Sequence, residues 1–154
     1  MRHKREDVIE RTIQEFEHLD RFVETLTTEQ WDYLLIRPET KDPWTVKDAL
    51  AHITHWKANV IRSIRHEKRP PEERGLMIND ANHLIYMRWH DRPSKEVLAW
   101  HRQVQKELLT ILRTVPEEWY SGKEHNADWP FDLVGHSTAH RVRDIERSLA
   151  AHSQ

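Results

Sequence analysis

The segment Lys4 to Leu26 contains no glycine or proline, and Val8, Ile9, Ile13, Phe16, Leu19, Phe22, Val23 and Leu26 recur along it at helical spacing. Similar runs return three more times, each bounded by a cap or a proline. Thr45, with Asp48 three residues on, makes an N-terminal capping signature ahead of Val46, Ala49, Leu50, Ile53, Trp56, Val60 and Ile64. Arg69-Pro70-Pro71 closes that helix. Asp91-Arg92-Pro93-Ser94 breaks the chain, Ser94 caps, and Val97, Leu98, Trp100 or His101, Val104, Leu108, Ile111 and Leu112 follow before Pro116 ends the run. Asp128 caps the last helix, which has Pro130 in its first turn and Val134, Val142, Ile145 and Leu149 as an apolar stripe.

Only 3 of the 154 residues are glycine and 32% are charged, which favours long surface helices over a turn-rich β fold. The expected fold is all-α: a four-helix bundle with helices near 4–26, 46–66, 94–115 and 130–151 and a long crossover connection between the second and third. The length suits one domain, 1–154. Ile53, Trp56, Val60, Val104 and Leu108 should be buried. Glu29 to Asp32 reads as a short helical turn and Pro38 to Pro43 as a loop. The stretch Ile78 to Tyr86 fits a short helix or an extended crossover, and the aromatics Trp119, Tyr120 and Trp129 are expected to pack across one end of the bundle.

A net charge of -2 and a pI of about 6.6 supply no global positive field for nucleic acid or anionic lipid. The local run Arg62, Arg65, Lys68, Arg69 suits the C-terminal pole of a helix dipole. With no cysteine, disulfides and thiolate metal sites are excluded, so any metal ligands are nitrogen or oxygen. No secretory h-region follows Met1 and no apolar run is long enough to span a bilayer, so a cytoplasmic protein is expected. No nucleic acid and no membrane is expected as a partner, which leaves a homodimer open.

Twelve histidines make their placement the next question. His52 borders the apolar arc of the second helix, beside Ala49 and Trp56. His55 points nearly the opposite way, among Asp48, Asn59 and Arg62, and reads as solvent-facing; neither it nor His66 is expected to ligate. His136 and His140, at i and i+4, project from one side of the last helix, a spacing that suits one metal ion, and Asp144 continues the line a turn on. A third ligand must come from another helix, and His52 is the best placed. The apolar stripe of the last helix lies away from these histidines, so on spacing alone a metal site and a wetted face are equal alternatives. The pair lacks the glutamate of a metalloprotease motif.

The run Trp44-Thr45-Val46-Lys47-Asp48-Ala49-Leu50-Ala51-His52 resembles the second-helix signature of the DinB/YfiT-like superfamily of metalloproteins, in which the histidine closing the run is a ligand. Gly135-His136-Ser137-Thr138-Ala139-His140-Arg141 similarly resembles that superfamily's last-helix ligand pair. The resemblance extends over the whole chain in helix order and length, and these two stretches are its specific parts. It implies His52, His136 and His140 as metal ligands. A branch related to a colibactin self-resistance protein carries its last-helix histidines near the positions of His140 and Asp144, a register that would make Asp144 an oxygen ligand and leave His136 outside. The superfamily's activities imply a divalent-metal-dependent enzyme, a thiol-dependent transferase or a hydrolase acting on a small electrophilic substrate. Imidazole ligation favours zinc or nickel over calcium or magnesium. Asp144 is then the candidate base or orienting group, and Arg141 or Arg143 the candidate for substrate charge. The other class is a non-enzymatic helical bundle that binds a small molecule or a protein partner, as a toxin-resistance protein would.

Overall fold

The computed structural model describes residues 4–121 and 129–153, with side chains described throughout except at 121 and 129–133. The chain is all-α. Helix α1 spans Arg5–Glu24, the single turn α2 Thr28–Trp31, α3 Val46–Ile64, α4 Ile78–Trp89, α5 Ser94–Thr114 and the short α6 Glu117–Ser121. The last rod is α7, Trp129–His140, continued without a break by a π segment, Arg141–Glu146, and α8, Arg147–His152. Among the described residues the only β pairing is an isolated bridge between Leu34 and Thr45. No helix among them is long and apolar enough to cross a membrane.

Local chemistry explains the boundaries. At α2 the Thr27 hydroxyl accepts from Gln30 N–H and the Gln30 side chain accepts from Thr27 N–H. The same reciprocal box starts α3, where Thr45 Oγ1 caps Asp48 N–H and Asp48 Oδ2 accepts from Thr45 N–H at 2.8 Å. Helix α3 ends at Ile64, and two residues on His66, with a φ of 56°, turns the chain away through the left-handed region. At α5 the cap position falls to Pro93, which has no side chain to offer, and Ser94 opens the first turn instead. Asp128, the expected cap of the last rod, and the side chain of Trp129 lie outside the described residues.

Four long rods are present as expected, but four helices do not describe the chain, because the crossover carries a fifth helix of 12 residues, α4, preceded by a 3-10 turn at Pro71–Glu73. Helix α3 packs against α5 and α7, and α1 packs against the same two, which sets α1 and α3 at opposite corners. Helix α4 lies on the remaining side of α3.

That arrangement covers α3 more completely than an amphipathic arc implies. All ten residues from Val46 to His55 are buried, polar and apolar alike. Ile53, Val104 and Leu108 are buried as expected, whereas Trp56 and Val60 are half-buried and Lys57 and Ile61 take the inner positions. The apolar core has two parts. One gathers Leu19, Val23, Trp44, Leu50, Ile53, Val97 and Ile145; the other gathers Val8, Ile61, Leu108, Leu112 and Tyr120. Tyr120 is fully buried, its hydroxyl donating to the Leu112 carbonyl, and half-buried Trp119 packs beside it. Between the two parts runs a buried polar belt that includes Glu15, Lys57, His101 and Gln105.

The last rod buries a mixed face. Ser137, His140, Arg141, Asp144, Ile145, Ser148 and Leu149 are buried, while Val142, counted in the apolar stripe from sequence, is exposed. Residues 137, 141, 145 and 149 recur at strict steps of four. An α-helix would rotate such a row by about 40° per step, and the wider i→i+5 turns of the π segment take up part of that drift.

Candidate metal centre

His52 is delivered by a fixed helix start and framed edge-on by Trp44 and Trp56, at centroid separations of 5.5 and 6.3 Å. His136 and His140 reach it from α7. The ring centroids lie 5.0 Å apart for His52 and His136, 4.6 Å for His52 and His140, and 4.4 Å for His136 and His140. One nitrogen of each ring lies within 4.8 Å of the others, and the Nε2 atoms of His52 and His136 are 3.2 Å apart.

Burial keeps two of these rings, His52 and His136, neutral. Burial, reinforced by the neighbouring His140 and His136, holds His52 down to about 2, and burial with His140 holds His136 down to about 3. Neutral imidazole is the form that can ligate. His140 Nδ1 is 2.5 Å from Asp144 Oδ2, a contact in which Nδ1 donates, so Nε2 is the nitrogen left to ligate. Among the described residues the buried His52 Nδ1 has no hydrogen-bond partner, so the polar contact of that ring is made by its other nitrogen, which faces His136. Three converging imidazoles, two of them held neutral and one oriented by a buried carboxylate, fit a divalent ion with nitrogen-preferring chemistry.

A second cluster shares His140. Glu39 Oε1 is 3.5 Å from His140 Nδ1, and Glu39, His140 and Asp144 form another convergent set. Both carboxylates are already met by Arg143, at 3.4 Å from Asp144 Oδ1 and 3.5 Å from Glu39 Oε1, so this set is an ion-paired support behind the His140 ring. Glu39 is absent from the sequence reading because it sits in an aperiodic loop with no motif around it.

Arg141, expected near substrate, faces elsewhere. Its Nε and Nη2 donate to Glu15 at 2.9 to 3.1 Å, and its Nη1 lies 3.1 Å from Glu146 and 3.3 Å from His18 Nε2. Ser137 and Thr138 also donate to Glu15, so Arg141 fastens α1 to the last rod. His55, expected in solvent, is buried and lies 3.2 Å from Glu73 of the 3-10 turn, because the crossover folds back over that side of α3. His66 is exposed just beyond the end of α3.

A family model described as the DinB superfamily matches residues 6–153. Neither a curated protein nor a solved structure matches the chain. With helical rods that bring a second-helix histidine to an i, i+4 pair on the last rod, and with a family match over nearly its full length, the chain belongs to the DinB superfamily.

Proposed function

We propose that the chain acts as one domain, a divalent-metal-dependent enzyme that transfers a thiol to a small electrophilic substrate or hydrolyses such a substrate, with His52, His136 and His140 as ligands and zinc or nickel as the ion. The observation that carries this reading is the convergence of three imidazoles, with the pKa of His52 and His136 held down by burial and His140 oriented by Asp144. Bound by three neutral ligands, the ion would keep its full double charge and supply Lewis acidity at its open positions. The chain's own residues set the conditions for that. Trp44 and Trp56 wall the His52 ring from water, and Asp144 holds the proton of His140 on Nδ1. Arg143 lies against Asp144 and Glu39 from behind, one cation between two carboxylates. No cysteine exists to act as nucleophile, so a thiol would come from a co-substrate. A cytoplasmic protein with a small-molecule substrate fits this chemistry.

The test is elemental analysis and zinc titration of protein purified without a polyhistidine tag, for wild type and for His52→Ala, His136→Ala and His140→Ala. About one equivalent in wild type and a loss in each variant is the expected result. Wild type that takes up no metal on reconstitution overturns the reading. Wild type that binds metal yet turns over no thiol and electrophile pair and no hydrolysable substrate supports the binding-protein alternative.

A further inference from the structure

The polar belt between the two halves of the core contains a lysine whose hydrogen-bonding partners among the described residues are His101 and Gln105. Lys57 is 3% exposed, and its Nζ lies 3.0 Å from His101 Nε2 and 3.0 Å from Gln105 Oε1, both on α5. The Phe16 ring of α1 is 5.6 Å from the same nitrogen. None of the ion pairs among the described residues includes it. The nearest acids are already engaged, Glu15 with Arg141 and Asp20 with Arg102. Buried charge without a counter-charge is costly, and beside it His101 Nδ1 and Gln105 Nε2 have no partner among the described residues.

We propose that Lys57 is an internal proton switch coupled to the metal centre, holding a proton while the three imidazoles are free and giving it up when a dication occupies them. The inference rests on the metal reading given above. Lys57 follows His52 by five residues on the same helix, a rise of about 7.5 Å, with buried protein around both. Its charge already bears on His136 from across the interior. Two like charges sharing a dry core repel with little screening, so each disfavours the other. By linkage, an ion that expels the proton is bound more tightly where the proton is already gone.

The surroundings place the change within reach of ordinary conditions. Burial lowers Lys57 to about 7 against the pull of Glu15 and Asp20 on α1. On α5, His101 is pushed well below the usual histidine range by burial, then by Lys57 and Arg102, so it accepts rather than competes for the proton. On α7 the group that senses Lys57 is His136.

The experiment measures zinc affinity by chelator competition from about pH 6 to about pH 9 for untagged wild type, Lys57→Met and Lys57→Gln, the last retaining a hydrogen-bonding group. At about pH 6 both variants should bind tighter than wild type by up to about tenfold, and the gap should close towards about pH 9. In metal-free protein, urea unfolding should show wild type gaining stability relative to Lys57→Gln as pH rises from about 7 to about 10, since the folded-state value lies below the unfolded one. Zinc binding with the same pH dependence in all three proteins overturns the switch and leaves the metal reading standing. Wild type that binds no zinc overturns both.

Discussion

Replacing Glu15 with glutamine should cost about 3 kcal/mol of stability. The carboxylate is 7% exposed and accepts from three directions: Arg141 at 2.9 to 3.1 Å, Thr138 at 2.7 Å and Ser137 at 3.2 Å. Glutamine keeps the shape and one acceptor, but it removes the charge and turns an N–H2 group towards donors. Stranding one member of a buried ion pair costs about 3–5 kcal/mol. Arg141 retains Glu146 at 3.1 Å on its more accessible side, which points to the lower end of that range. The assay is equilibrium urea unfolding at neutral pH, with the m-value checked for constancy. Arg141→Met should lose a similar amount, and the double variant Glu15→Met with Arg141→Met should lose clearly less than the two single losses added, because it leaves no orphaned charge. Zinc stoichiometry should be unchanged in Arg141→Met. A Glu15→Gln loss below about 1 kcal/mol, the range of a surface pair, would refute the assignment of this pair as the fastening between α1 and the last rod.

Asp144→Asn should weaken zinc binding by about 10- to 100-fold while leaving helicity intact, as loss of an orienting partner does; unchanged affinity by titration would remove Asp144 from the site. His55 is lowered to about 4, by burial first and then by Arg88, Arg62 and Arg69, with Glu73 already met by Arg62 and Arg88. Its folded value therefore lies below its unfolded one, and up to about 3 kcal/mol of stability present above about pH 6.5 should be lost as pH falls to about 4. His55→Gln should flatten that part of the acid unfolding profile and retain zinc. Leu108→Ala, at a fully buried position on α5, should cost about 2–5 kcal/mol by thermal or urea unfolding.

The rods were legible because their signals are local. The Thr45 and Asp48 box, the prolines at 70, 71, 93 and 116, and the apolar rows of α1 and α5 each act within a few residues. What covers a rod is not local. His55 reads as wet because only α3 itself is visible in its neighbourhood of sequence, and the turn bearing Glu73 lies far along the chain. Lys57 reads as surface by residue type, and nothing nearby announces that α1 and α5 will close over it. On the last rod the buried face holds histidine, arginine, aspartate and serine, so an apolar stripe marks it only near Ile145 and Leu149. The π segment further displaces any face drawn on an ideal helical wheel. His52, His136 and His140 could still be grouped, through an i, i+4 pair and a signature run, whereas Glu39 and the true partner of Arg141 required the fold.

The complete enclosure of the first half of α3 divides the three histidines unequally. Amides from Val46 to His55 sit where hydrogen exchange needs the whole protein to open, so His52 presents a ring whose backbone is among the last to release its protons to solvent. His136 and His140 ride on a rod with exposed positions at Gly135, Ala139 and Val142. Ligand binding should therefore slow exchange on α3 only as far as it raises global stability, and slow exchange on the last rod by more than that. One proposed ligand is thus built in advance, and the other two are where binding would register first.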